Sequence, residues 1–258
     1  MIKIQAKDFN LKHTLESGQF FHFTKLDNDT YIIVIKDKIV KIYQKNDILY
    51  IDSFPKISED EINNFFNLNI NYRSIINYIS KKDKNLENMI SKYYGLRIIN
   101  QDIEECIFSY ILSSFNNIKK IQSSVKLLST YLGDEIKDGI FAFPTVEVLK
   151  NAKDDIFKLS KTGFRGKYIK ESARIMFHNN IDYNKKDEDI KKILLTLPGI
   201  GEKVSDCIML YSLKRYNVFP KDIWIKRYIK EKEDYEKKFK KYRGWAQLYI
   251  YSSMRNIK

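Results

Sequence analysis

Lys203, Cys207 and Asp222 are the residues whose types and surroundings could do chemistry. The stretch that holds them reads Leu197-Pro198-Gly199-Ile200-Gly201-Glu202-Lys203-Val204-Ser205-Asp206-Cys207, and Phe219-Pro220-Lys221-Asp222 follows after an apolar turn or two. Pro198 cannot donate a backbone hydrogen bond, and Gly199 and Gly201 tolerate backbone angles that other residues avoid. A helix ending near Leu197 must therefore turn sharply before a second helix starts at Glu202. The N–H groups of that second helix's first turn point into the hairpin, and its glycines let backbone approach an anion, so a phosphate is the natural guest. Lys203 stands at the helix N-terminus, where a cation is disfavoured, so its pKa is expected to fall. A lysine amine is a nucleophile only once it has lost its proton. Cys207 lies one turn on, on the same face. Asp222 precedes a helical run, Ile223 to Lys230, and as its N-cap would be held in place and ionised. The plainer alternatives are a surface lysine, a packing cysteine and an aspartate that only caps.

These residues need a helical frame. Ile190 to Leu197 leads into the hairpin as an amphipathic helix end, and the helical pattern resumes from Glu202 to Leu213. The hairpin unit thus spans about 190–213. From Gln101 onward the chain reads as helix nearly to its end: Ile103, Ile107, Tyr110 and Ile111 form one apolar stripe, and Ile118, Ile121, Val125 and Leu128 another. Pro144-Thr145 opens a short helix and Gly163 closes the next. Phe164 to His178 is a basic helix, and Trp245 to Met254 closes the chain. Lys230 to Arg243 reads as a solvated helical face.

Residues 1–52 read differently. Phe20 to Leu26, Tyr31 to Ile35, Ile39 to Tyr43 and Ile48 to Ile51 are β-branched and aromatic runs, with turn signals at Asp27-Asn28-Asp29 and Lys45-Asn46-Asp47. They predict an antiparallel meander. Ser58-Glu59-Asp60-Glu61 is a capping box that starts the first helices. The class is α+β: an N-terminal domain over 1–95, with an antiparallel sheet and helices, packs on a mainly helical core over 96–258, with a cleft between them.

The chain has 258 residues, 43% of them hydrophobic, and a net charge of +13. Such a balance favours polyanions, although a sequence this rich in Lys, Ile, Asn and Tyr also follows from AT-rich coding. No run is long and apolar enough to span a membrane, and Met1-Ile2-Lys3-Ile4-Gln5 is no signal peptide. Cys106 and Cys207 imply no disulfide framework, so a reduced, cytoplasmic protein is expected. His13, His22 and His178 lack metal-ligand spacing and read as structural. Trp224 suits core or site equally.

The hairpin with Lys203, and Asp222 in its Gly/Pro-rich setting, resembles the helix-hairpin-helix DNA glycosylase superfamily. Further stretches are similar to its 8-oxoguanine DNA glycosylase branch: Ser17-Gly18-Gln19-Phe20, Gln101-Asp102, Glu105-Cys106, Ser113-Ser114-Phe115-Asn116-Asn117-Ile118, Gly163-Phe164-Arg165 with Tyr168, and Gly244-Trp245-Ala246-Gln247. They run in order along almost the whole chain. The four-cysteine iron–sulfur branch is set aside, because the chain has two cysteines.

The resemblance implies a bifunctional enzyme of base-excision repair, acting as a monomer on double-stranded DNA that contains 8-oxoguanine. Lys203 would be the nucleophile of the lyase step and Asp222 the carboxylate that stabilises the sugar cation. The flipped base would be read by the Gly18 carbonyl at N7 and by Gln247 along its Watson–Crick edge. Tyr251, where the family often has Phe, and Cys207 would sandwich it. Phe115, Asn116, Asn117, Lys120, Phe164 and Arg165 would face the duplex and the opposite base, and Gly199 and Gly201 its backbone. In stringent relatives an Asn and Arg residues read the orphan cytosine beside a wedged Tyr. Phe115, Lys120 and Phe164 depart from that pattern and leave Arg165 as the cytosine reader. No metal and no required cofactor are implied, although carbonyls around Leu197 and Ile200 suit a monovalent cation. The alternatives are an alkylated-base glycosylase of the same superfamily, disfavoured by Lys203 and Gly18, and a non-enzymatic DNA-binding module.

Overall fold

The computed structural model describes residues 1–179, 181–230 and 232–255. The chain opens with strand β1 (Ile2–Gln5), a short helix α1 (Leu11–Leu15), and then β2 (Phe23–Lys25), β3 (Tyr31–Ile35), β4 (Lys38–Lys45) and β5 (Ile48–Phe54). The meander β2 to β5 is antiparallel throughout, and β1 adds to its far edge in the order β1-β5-β4-β3-β2. Period-two alternation puts Tyr31, Ile33, Val40, Ile42, Leu49 and Ile51 on one face, all fully buried. Two details differ from the sequence reading. Asn10 caps α1 by accepting from the His13 N–H at 2.8 Å, so a helix interrupts the β region. The strand expected from Phe20 begins only at Phe23, and Phe20 and Phe21 lie in the loop before it with their side chains buried.

Helices α2 (Glu59–Phe65), α3 (Tyr72–Lys82) and α4 (Lys84–Lys92) follow. The capping box at α2 forms as read, with the Ser58 and Glu61 side chains each bonding the other's backbone N–H. Phe65 and Phe66 of this region close the sheet's apolar face together with Leu11 and Leu15. In contrast, Ile76, Ile79, Leu86 and Ile90 of α3 and α4 join the larger cluster built by the helices that come after them.

Those helices are α5 (Ile103–Leu112), α6 (Ile118–Leu132), α7 (Val146–Asn151), α8 (Asp154–Leu159), α9 (Arg165–His178), α10 (Asp187–Leu195), α11 (Glu202–Ser212), α12 (Ile223–Ile229) and α13 (Arg243–Arg255). Between α6 and α7 lies a small hairpin, β6 (Glu135–Lys137) with β7 (Ile140–Phe141), which the polar sequence there did not announce. The expected single stripe on α5 is instead burial on all sides: Glu105 through Leu112 are all buried, because α5 is the central helix of the domain. The segment read as a solvated helix, Lys230 to Arg243, contains a 3-10 stretch, Tyr235–Tyr242, broken at Lys240 with φ +48. Its aromatics decide its position: Tyr235 and Phe239 are buried, and Asp83 takes both the Tyr235 hydroxyl and, at 2.9 Å, the Lys238 ammonium.

Candidate active site

The hairpin forms where its residues require it. Gly199 has φ +85, and a Cβ there would come within 3.0 Å of Tyr168 and 3.2 Å of Ile111, so only glycine fits. Gly201 is the N-cap of α11, and a Cβ on it would meet nothing within 4 Å. No side chain caps the first-turn N–H groups of α11, the arrangement that suits an anion. Lys191 fastens the two helices together, reaching Glu202 at 2.7 Å and Asp206 at 2.9 Å. Ser172 on α9 donates to the Pro198 carbonyl at 3.0 Å.

Lys203 is half-buried at the start of α11, its amine 5.5 Å from the centre of the Tyr110 ring. Its pKa does not fall as the helix terminus alone suggests. Burial pulls it down, but Cys207, Tyr251 and Asp222 together more than offset that, and the net direction is upward. Cys207 is buried, which pushes its thiol up to about 11 against the opposing pull of the Lys203 ammonium. Tyr110 stacks on Tyr211 at 5.8 Å, and burial drives both phenols up, so neither is a base at neutral pH. Asp222 caps α12, its Oδ1 accepting the Ile225 N–H at 2.8 Å. Capping and coupling to Lys203 thus coexist in one carboxylate, and the two readings of Asp222 are not exclusive.

Gln247 is buried on α13 and donates through Nε2 to the Pro220 carbonyl at 3.2 Å, which ties α13 to the loop that carries Asp222. The Tyr211 hydroxyl makes a long 3.5 Å contact with its Oε1. One turn on, Tyr251 lies beside Gly18: a Cβ on Gly18 would be 3.4 Å from the Tyr251 hydroxyl. Gly18 itself has φ +86. It is set by its neighbour Gln19, a buried amide that accepts the Ile99 N–H at 2.7 Å and donates to the Arg97 carbonyl at 2.7 Å and to Ser17 Oγ at 2.9 Å. The Gln19 carbonyl in turn takes the Gln101 amide at 2.7 Å and the Tyr110 hydroxyl at 3.1 Å. Gly18, Gln247, Tyr251, Cys207, Lys203 and Asp222 thus belong to one connected region.

The residues expected to face duplex DNA divide. Phe115 is 98% exposed with φ +49, and Phe164 is 56% exposed, so neither is core. Arg165 is buried, and its guanidinium is spent on backbone: Nε to Ser114 O at 2.6 Å, Nη2 to Phe115 O at 2.9 Å, Nη1 to Thr162 O at 3.3 Å. Arg165, expected to read cytosine, holds the Phe115 loop. Asn117 caps α6 by accepting from the Lys120 N–H at 3.0 Å. Asn116 bonds the Leu112 carbonyl at 3.0 Å and receives the Asn117 N–H. Lys120 is exposed, and Trp224 is half-buried with Arg227 5.0 Å over its ring. His22 pairs with buried Glu105 at 2.9 Å, a structural placement.

Two features were not singled out from sequence. Arg255 at the end of α13 bonds the Glu16 and Ser17 carbonyls across the fold. A cleft of about 1130 Å³ opens between β2–β3 and α6, lined in part by His22, Lys25, Lys126 and Phe141; Ile118 and Arg255 separate it from Gly18, and it contains neither Lys203 nor Asp222. Among the described residues there is no His/Cys/Asp/Glu group that could hold a metal, and no helix long and apolar enough to cross a membrane.

Residues 1–107 match the family described as 8-oxoguanine DNA glycosylase, N-terminal domain. Among solved structures the chain is similar to MBOgg1, described in complex with a low-affinity DNA ligand, at 31% identity and TM-score 0.90, covering 98% of this chain and 94% of that one. It is also similar to the 8-oxoguanine glycosylase/lyase of Clostridium acetobutylicum in its apo form, at 28% identity and TM-score 0.88, covering 97% and 95%. A curated relative, the N-glycosylase/DNA lyase OGG1 of Arabidopsis thaliana, is 26% identical over 97% of this chain and 78% of its own. Fold, site and relatives together define a DNA-binding repair enzyme, a DNA glycosylase with lyase activity. The chain belongs to the 8-oxoguanine DNA glycosylase family.

Proposed function

We propose that this enzyme excises 8-oxoguanine from duplex DNA and then cleaves the abasic strand by β-elimination through a Schiff base on Lys203. The observation that supports the reading is the placement of Lys203 in the first turn of α11, its amine 5.5 Å from the Tyr110 ring and one turn from buried Cys207, with the Asp222 carboxylate among the groups that act on it. The neutral amine attacks C1′ of the flipped nucleotide. The glycosidic bond breaks, and its electron pair leaves with the base, which takes up the proton the amine sheds. Asp222, fixed by its bond to Ile225, offsets the positive charge that develops on the sugar. Opening of the sugar ring gives an iminium on Lys203. Loss of a C2′ proton then expels the 3′ phosphate, and water releases the lysine.

Discrimination rests on N7. In guanine this atom is an acceptor; in 8-oxoguanine it carries a hydrogen. A Gly18 carbonyl aimed there accepts from the lesion and repels the normal base, and one such contact is worth about one to two orders of magnitude. Tyr251 and Cys207 would hold the two faces of the base. Gln247 would bond its Watson–Crick edge, exchanging its link to Pro220 for the base. The open N–H groups after Gly201 would take a strand phosphate, and carbonyls around Leu197 and Ile200 could share a monovalent cation with it. Neither chemical step calls for a cofactor. We read the enzyme as a cytoplasmic monomer.

The test is a duplex with one 8-oxoguanine incubated with borohydride. The wild type should form a covalent adduct, and Lys203→Gln should form none while still binding the duplex. Excision without an adduct would move the enzyme to the alkylated-base branch, and binding without excision would leave only a DNA-binding module.

A further inference from the structure

The peptide that presents Gly18 is held from both sides. On its C-terminal side Gln19 is locked into the core by the bonds described above. On its N-terminal side the Glu16 carboxylate takes the Tyr31 hydroxyl at 2.7 Å, and the Glu16 and Ser17 carbonyls are fastened by Arg255, which lies 238 residues away from Ser17 in sequence. Its Nη1 donates to the Ser17 carbonyl at 2.7 Å and its Nη2 to the Glu16 carbonyl at 2.8 Å. The same guanidinium lies 5.2 Å over the ring of Tyr251, one turn earlier on α13. It also fills the space where a side chain on Gly18 would project: a Cβ there would be 2.4 Å from Arg255 Nη1. Glycine at 18 is therefore favoured by its φ of +86, and a side chain there would push the Arg255 guanidinium aside.

We infer that Arg255 is a positioning residue that sets the discrimination between oxidised and normal guanine, by fixing which way the Gly18–Gln19 peptide points. The inference rests on the proposed reading of N7 by the Gly18 carbonyl. A glycine peptide can turn over at little steric cost. In one orientation it offers the Gly18 carbonyl, which suits the N7 hydrogen of 8-oxoguanine. In the other it offers the Gln19 N–H, a donor, which suits the N7 lone pair of guanine. Holding the preceding two carbonyls removes the second orientation before any base enters, so the acceptor is preorganised and needs no rearrangement on binding.

The measurement compares 8-oxoguanine with its 7-deaza analogue, which keeps the C8 carbonyl but has no N7 hydrogen to donate. Wild type, Arg255→Lys and Arg255→Met are assayed for kcat/KM on both duplexes, and for strand cleavage at a preformed abasic site, which reads no base. The wild type should prefer 8-oxoguanine by about ten- to a hundredfold, the worth of one buried hydrogen bond. In Arg255→Met that preference should collapse to within about threefold, chiefly through KM, and Arg255→Lys, which can still hold one carbonyl, should fall between. Abasic-site cleavage within about threefold of wild type in both variants shows that the fold is intact. An undiminished preference in Arg255→Met overturns the clamp. A proportionate loss of abasic-site cleavage in both variants also overturns it, in favour of general structural support. Equal activity of the wild type on the two duplexes would instead overturn the Gly18 reading on which the clamp rests.

Discussion

The Lys203 amine and the buried Cys207 thiol stand one turn apart on α11, and each moves the other's proton affinity: the thiol raises the amine, and the amine lowers a thiol that burial has pushed up to about 11. The resting amine is therefore charged at neutral pH, and the proposed nucleophilic attack waits on its deprotonation. Cys207→Ala removes a contribution that raises the Lys203 pKa, so a larger fraction of amine is free at any given pH. Borohydride trapping on a preformed abasic duplex, where there is no base for Cys207 to touch, should rise with pH in both proteins. Its half-maximal point should lie at lower pH in the variant. An unmoved profile, or one displaced to higher pH, would show that the thiol does not hold the proton on Lys203.

Asp222→Asn separates two roles that the geometry superimposes. Asparagine caps a helix as well as aspartate, so the Ile225 N–H keeps its acceptor and thermal stability should change by less than about 1 kcal/mol. The amide carries no charge to set against the sugar cation, so excision should slow by about a hundred- to a thousandfold. Single-turnover excision and a melting curve on one preparation decide between them. A lowered Tm with near-normal excision would leave Asp222 as a cap alone.

Much of this arrangement is legible in local sequence, because it depends on local rules. The Ser58–Glu61 box, the Thr145 and Asp222 caps and the Gly199 turn each follow from a few adjacent residues, and each forms. What stayed hidden depends on partners far away in the chain. Arg165 reads as a DNA-facing arginine until the Ser114 and Phe115 carbonyls, some fifty residues earlier, claim its guanidinium. Arg255 stands at an i, i+4 spacing from Tyr251, which suggests a shared face, but nothing in the sequence names Glu16 and Ser17 as its partners. Burial lowers the Lys203 pKa, and the groups that outweigh it are part local and part distant: Cys207 one turn away on α11, then Tyr251 on α13 and the Asp222 cap of α12.

Gln19 offers a stability test. Its side-chain amide is buried and bonded at both ends, to Ile99 N on one side and to the Arg97 carbonyl and Ser17 Oγ on the other. Leucine is of similar size but would strand a buried N–H and a buried carbonyl, each unpaired group costing about 1–3 kcal/mol. Gln19→Leu should therefore destabilise the protein by about 2–4 kcal/mol, lowering Tm by about 5–10 °C in a chain of this size. A loss under about 1 kcal/mol by denaturant melts would mean that water replaces the missing partners, and that the loop before Phe20 is less tightly determined than its bonds imply.

The last expectation concerns the base opposite the lesion. Once the damaged base is flipped, its partner stands unpaired in the stack. The groups that could read it by hydrogen bonds are committed elsewhere in this protein: Arg165 to the Ser114, Phe115 and Thr162 carbonyls, Asn116 to Leu112, and Asn117 to the start of α6. Lys120 is exposed, but a lysine is a point charge and lacks the planar fork that recognises cytosine or guanine edges. What projects instead is apolar. Phe115 is 98% exposed on a left-handed backbone that Arg165 braces, and Phe164 is 56% exposed beside the same guanidinium, 4.5 Å away. An exposed phenylalanine held in a strained conformation suits insertion into a gap in stacked bases, where it stacks on any base alike. Without bidentate contacts, each worth about 1–3 kcal/mol of discrimination, excision opposite adenine, guanine and thymine should fall within about tenfold of that opposite cytosine. Phe115→Ala should weaken lesion binding by about ten- to a hundredfold without changing that order, as loss of one stacking contact does. Single-turnover rates on four duplexes that differ only in the opposite base settle the matter. A cytosine preference of about a thousandfold, equivalent to about 4 kcal/mol, would require Arg165 to release the loop and turn into the duplex when DNA binds.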